Sequence, residues 1–228
     1  MRVLSDDRPC TLDERSARLI MPGREIVQRA QQATNILAAS KIARPMGRAR
    51  ALRQADRVVE TIYGDRLLHT LSLKRKTFYV VAALVDGEII ITYDSVMPRD
   101  GGMHAVCNPY LVRSVINQHA TARLFQRLRT TDLDAVMREI KPYGLGTLNF
   151  YAARRSGNHA IEEGRRVLMP TASGHLVVPY SGEHGRPDAV TWISDTSTGS
   201  EILGLVQQAR QRGVFISAID RKVEHIED

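Results

Sequence analysis

Three side chains able to handle a phosphate recur at every fourth position of the stretch VRSVINQHATARLFQRLRT: His119, Arg123 and Arg127. Imidazole can give or take a proton near neutral pH, and a guanidinium fork matches the oxygen geometry of a phosphodiester. On a helix, positions four apart stack in one row. Read as a helix from Val112 to Thr130, the stretch sets Ile116, Ala120, Leu124 and Leu128 beside that row as its buried side. The cations then stand at the edge of the packed face, where a helix would line a cleft. No acid between Leu111 and Thr130 neutralises them. Like charges at this spacing are mildly unfavourable, and an external anion would remove that cost. The competing reading is structural: carboxylates elsewhere in the fold pair with the arginines, and His119 is an edge residue without a chemical role.

A second basic feature lies upstream. Lys41, Arg44, Arg48, Arg50, Arg53 and Arg57 crowd one segment against a single acid, Asp56. A solvated helix face usually intersperses acids four residues away. No aromatic residue interleaves, so the run suits phosphate contact rather than base stacking. The whole chain agrees in sign: 32 Lys and Arg against 25 Asp and Glu give a formal charge of +7 over 228 residues. Clustered positive charge favours a polyanionic partner, RNA or DNA.

Other chemistries find little support. Cys10 and Cys107 have neither CxxC spacing nor a histidine at ligand spacing, which points to free thiols in a reducing cytoplasm. Asp86, Glu88 and Asp94 could be read as a carboxylate cluster, but Asp86 is better explained by a turn, so neither a metal nor another cofactor is expected. His159 near Glu162 and Glu163 lies in polar, aperiodic sequence that reads as surface. His175 and Tyr180 flank a strand and read as turn-side positions, or as further members of a cleft. Trp192 reads as core packing. No Gly-rich phosphate loop, GxSxG elbow or HExxH helix is present. No apolar run approaches the roughly 20 residues of a membrane span, and the charged N-terminus argues against general secretion; a cytoplasmic protein without a membrane partner is expected.

The elements that must position these groups form an α+β pattern. Apolar residues at helical spacing predict two helices between Arg24 and Tyr63, broken at Pro45 and Gly47 and stopped at Gly64. From Leu67 to Val96 the period changes to that of strands, and Asp86-Gly87 between apolar runs predicts a hairpin in an antiparallel meander. MPRDGGMHAV reads as a loop. Asn108-Pro109 then reads as the start of a central helix ending near Arg129, and Thr131 as the cap of a second that Pro142 ends. A second antiparallel region follows: a hairpin around Ala172-Ser173-Gly174, a strand in DAVTWISD, a short C-terminal helix in SEILGLVQQARQRG and a last strand in VFISAI. The division expected is a basic helical region over 1–64 and an α+β domain over 65–228.

The segment NQHATARLFQRLRTTDLDAVMREI resembles the opening of small RNase-toxin-like domains of the barnase-, EndoU-, colicin- and RelE-like group, with the pattern HAxxRxxxR, a polar turn and a second short helix. In those domains an antiparallel sheet follows, with a late strand carrying an apolar-Val-Thr stretch. GHLVVPYSGEHGRPDAVTWISD supplies a hairpin and then Val190-Thr191-Trp192 in that place. The resemblance covers about residues 108 to 196. It implies a metal-independent endoribonuclease in which His119 transfers a proton, Arg123 and Arg127 stabilise phosphoryl charge and Thr191 hydrogen-bonds the phosphate. It also implies a neutralising or delivery protein partner. A non-catalytic nucleic-acid-binding or regulatory protein of a mobile element is the alternative, or an assembly protein whose basic row docks an acidic partner.

Overall fold

The computed structural model describes residues 24–39, 48–73, 76–99, 102–106, 112–156, 166–179 and 186–219. Helices α1 (Arg24–Ala39) and α2 (Arg48–Tyr63) precede strands β1 (Leu67–Leu73), β2 (Lys76–Val85), β3 (Glu88–Arg99), β4 (Gly102–Val106) and β5 (Val112–Ile116). Helices α3 (Gln118–Arg127), α4 (Leu133–Glu139) and α5 (Lys141–Ser156) follow. Strands β6 (Arg166–Pro170), β7 (Gly174–Pro179), β8 (Thr191–Ser194) and β9 (Ile216–Ile219) form a second sheet, with α6 (Ser200–Arg212) preceding the last of them. The architecture is α+β, as the sequence pattern predicts.

The first sheet is antiparallel, in the order β1-β2-β3. Asp86 and Gly87 join β2 to β3 with φ of 50° and 82°, the positive values that a type I′ hairpin requires at both positions. One edge of the long β3 is shared: β5 pairs with Ile89 to Thr92, and β4 with Ser95 to Arg99. The second sheet runs β8-β7-β6-β9.

Strand alternation divides β2 between two cores. Tyr79 and Val81 point to one face, where they meet Ala51, Ala55, Val59 and Ile62 of α2. Val80 and Ala82 point to the other, joining Ile89 and Ile91, Ala120 and Leu124 of α3, and Val167, Met169, Leu176 and Val178 of the second sheet. Helix α5 fills the space between the sheets and contributes Tyr143, Phe150 and Tyr151. Its glycines permit this: a Cβ on Gly144 would lie 2.7 Å from Leu68 Cβ, and one on Gly146 would touch Met169 at 3.8 Å.

Several expectations need correction. VRSVI is strand β5, not the first turns of a helix. Its β-branched residues pair with β3, Ile116 opposite Ile89, and the helix begins only after Asn117, whose side chain accepts from Ala120 N at 2.9 Å. Asn108 and Pro109 lie outside the described residues. Asp132 rather than Thr131 caps α4, accepting from Asp134 N at 2.9 Å. Pro142 ends nothing; it sits in the first turn of α5, where its missing N–H has no helical partner to lose. The segment YGLGTLNFYAARRS, to which the sequence pattern assigns no element, belongs to α5, and residues 102–106 pair as β4 rather than looping. Among the described residues no helix is long and apolar enough to cross a membrane.

Candidate functional site

The His–Arg row belongs to α3, which packs against β8 and β3. Ala120 and Leu124 are fully buried, so the helix is anchored along the side of the row. His119 and Arg127 are exposed and Arg123 is half-buried, which places the row at the edge of the packed face. Among the described residues neither His119 nor Arg123 has a hydrogen-bond or ion-pair partner. Thr191, half-buried, opens β8 opposite Val177 and shares that residue's face of the second sheet, the one α6 covers, whereas α3 packs on the face of Leu176 and Trp192; the structure does not bring Thr191 to the row. Trp192 alternates inward, is buried, and donates from Nε1 to Thr171 Oγ1 at 3.0 Å. It is core, as expected, and takes no part in a base-stacking surface.

The upstream basic run divides. Lys41 and Arg44 lie outside the described residues, as do Tyr180, His159, Glu162 and Glu163; Arg48 opens α2. Arg50, Arg53 and Arg57 are exposed and share the outward stripe of α2, opposite Ala51, Ala55 and Val59. Asp56 is turned toward the sheet, accepting from the Tyr79 hydroxyl at 2.7 Å. Because α2 and α3 pack on opposite faces of the first sheet, the arginine stripe and the His–Arg row do not merge into one surface on one face.

Asp86 serves the hairpin turn, and Asp94 is buried, accepting from the Tyr63 hydroxyl at 2.7 Å. Among the described residues no three His, Cys, Asp or Glu side chains gather as a metal site.

Two buried polar centres emerge that the sequence pattern does not announce. The first surrounds the β6–β7 turn. Glu139, the last residue of α4, is buried and accepts three hydrogen bonds: from Thr171 Oγ1 at 2.6 Å, Ser173 N at 2.8 Å and Ser173 Oγ at 2.9 Å. Arg210 of α6 donates to the carbonyls of Thr171 and Gly174 and pairs with Asp195 at 2.9 Å. Beside it His175 is only 2% exposed, and Nδ1 is buried without a partner. Burial pushes the imidazole pKa down to about 4; Arg210 pushes it the same way and Asp195 opposes. His175 is therefore neither a turn-side surface position nor a cleft histidine ready to carry a proton at neutral pH.

The second centre joins the two sheets. Ser114 Oγ and the Tyr143 hydroxyl lie 2.6 Å apart and both donate to Pro187 O, at 2.6 and 2.8 Å. Val115 N donates to Asp188 Oδ1 at 2.9 Å, and Ala189 forms a parallel bridge with Ile116. Burial, more than any neighbouring charge, raises the Tyr93 and Tyr143 hydroxyls well above the ordinary tyrosine range, so both are protonated donors. Arg113 of β5 and Arg186 flank this junction. The only signal in the sequence was a lone charge inside the β-branched run VRSVI.

Comparison with protein-family models, with curated proteins and with solved structures gave no match.

Proposed function

We propose that the chain is a nucleic-acid-processing protein, and within that class a metal-independent endoribonuclease of toxin type. The observation that supports this reading is the row of His119, Arg123 and Arg127 at the edge of the packed face of α3, where Ala120 and Leu124 are buried and His119 is exposed. Cleavage through a 2′-hydroxyl needs a proton-transfer group and donors for the phosphoryl oxygens. His119 is exposed to solvent on this helix, and Arg123 has no partner among the described residues to hold it elsewhere. In this reading His119 moves the proton and Arg123 and Arg127 hold phosphoryl charge, while Thr191, on the α6 face of its sheet, has no part. The arginines of α2 bind more of the same polyanion or a neutralising protein partner.

A second reading is a non-catalytic nucleic-acid-binding protein, favoured by the exposed stripe of Arg50, Arg53 and Arg57. One experiment separates them. Labelled single-stranded RNA and DNA are incubated with the protein in EDTA, beside a His119→Ala, Arg123→Ala double variant. The ribonuclease reading expects cleavage of RNA alone, reduced at least about a hundredfold in the variant. Salt-sensitive retention without cleavage, unchanged in the variant, transfers the function to the α2 stripe.

A further inference from the structure

Helix α1 packs against α2 and β4, and its Ala33 is buried in the same cluster as Ala51, Ala55 and Val59 of α2. The two helices form one layer on the first sheet, and helical periodicity fixes what each turns to solvent. On α1 it is a stripe of amides: Gln28, Gln31, Gln32 and Asn35 are all exposed. On α2 it is the stripe of Arg50, Arg53 and Arg57. Among the described residues none of these three guanidiniums has a hydrogen-bond or ion-pair partner. Glu60 is the one exposed acid among the described side chains of the two helices.

From Arg50 to Arg57 the stripe spans about 10 Å of helix axis, roughly three nucleotides of rise along one strand of a duplex. Guanidiniums take phosphate oxygens, and neutral amides exchange hydrogen bonds with phosphate and sugar. The outward positions hold no aromatic residue, which would anchor a protein partner or stack an unpaired base. Charge and hydrogen-bonding capacity together complement a duplex backbone.

The fold keeps this surface apart from the His–Arg row. Tyr79 and Val81 of β2 face α2, whereas Val80 and Ala82 face α3, so the sheet stands between the two basic surfaces. With a helix about 10 Å thick on either side of the sheet, the surfaces lie roughly 20–30 Å apart. A duplex of about 12 base pairs is about 40 Å long, far below the persistence length of about 150 base pairs. It cannot turn round the sheet to touch both.

We infer that the outward face of α1 and α2 is a second nucleic-acid interface, taking the backbone of a duplex, and that one molecule thereby bridges two separate segments, one on each side of the first sheet. The inference rests on the nucleic-acid reading above but not on cleavage, since DNA lacks the 2′-hydroxyl and stays intact.

The test mixes the full chain with a biotinylated and a fluorescent DNA duplex, each of about 12 base pairs, in EDTA. Binding of one duplex is read by anisotropy across a salt series, and bridging by capture of fluorescence on streptavidin. An Arg50→Gln, Arg53→Gln, Arg57→Gln variant removes the α2 stripe, and the His119→Ala, Arg123→Ala variant disables the row. The parent is expected to bridge. Each variant is expected to bind one duplex still and to bridge at least about tenfold less. In the row variant the binding that remains belongs to α1 and α2, with a logarithmic salt slope of about −2 to −3 if each arginine neutralises one phosphate. Lysines at the three α2 positions keep the charge and are expected to keep bridging, which separates lost charge from lost fold. Bridging that survives in either single-surface variant means one site per chain in a dimer and overturns the inference. A lysine variant as deficient as the glutamine one also overturns it. Retention of DNA by the parent without bridging overturns it while leaving the nucleic-acid reading in place; no retention at all overturns both.

Discussion

His175 makes the protein's stability depend on pH in a way that one substitution removes. The imidazole is shut between β7 and α6, facing Asp195 and Arg210, with burial the main reason its pKa falls from 6.5 to about 4. In the unfolded chain the group returns to its ordinary value, so between these limits the unfolded state binds more protons than the folded one. Stability is therefore fully present above about pH 6.5 and is lost as pH falls toward 4. The full loss is about 3 kcal/mol, and about 2 kcal/mol of it has gone by pH 5. For a chain of this length that corresponds to a fall of roughly 4–8 °C in Tm. His175→Leu deletes the titrating group and the partnerless Nδ1 together. The assay is urea unfolding followed by Trp192 fluorescence from pH 7.5 to pH 5, in parent and variant. His69, half-buried and also pushed down by burial, acts in both proteins, so the difference between the two curves isolates His175. The variant is expected to lose about 2 kcal/mol less than the parent over this range. Parallel curves would refute the placement of a neutral, buried imidazole at this position.

Three further substitutions test the elements around it. Arg129 follows α3 with φ of 49°, while Thr130 N returns to Phe125 O at 3.2 Å, a helix end that ordinarily takes glycine. Arg129→Gly should stabilise the protein by up to about 1 kcal/mol, read as a higher denaturant midpoint at unchanged slope. Gly174 lies against the Trp192 indole, where an added Cβ would stand 2.7 Å from a ring carbon and would also strike the carbonyl of Ile193. Gly174→Ala should cost about 2–4 kcal/mol and change the tryptophan emission of the folded protein, whereas Gly204→Ala, with nothing within 4 Å, should not. Glu139→Gln replaces the Oε2 acceptor with a donor opposite Ser173 Oγ and should cost about 1–3 kcal/mol by urea titration; an unchanged midpoint would remove Glu139 from the turn's support.

The parts of the fold legible in the sequence are those whose cause is local. Asp86-Gly87 requires positive φ, Gly174 closes a hairpin, and the inward residues of α2 recur at helical spacing. The failures share a different cause. Strand β5 hides in a stretch that reads as helix because nothing within it shows that Ile116 will pair with Ile89. Helix α5 lacks a one-sided apolar stripe because it is packed from both sides, which erases the periodicity that reveals surface helices. The candidate row on α3 was legible because i to i+4 spacing is local, whereas Thr191 came only from a resemblance, and the sheet turns it to the α6 face. The burial of Arg113 and His175 could not be read from spacing, since they meet residues such as Tyr93 and Arg210, many positions away.

The position of α5 has a consequence for motion. A helix clad on one side by β1 and β2 and on the other by β6 cannot bare its amides by fraying or by swinging outward. Its central peptide groups, from Tyr143 to Phe150, reach solvent deuterons only when the two sheets part. Their exchange rates therefore report the free energy of global unfolding, while α1 and the outward end of α6 exchange through cheaper local openings. The innermost helix is the molecule's own gauge of whether its two halves are still together.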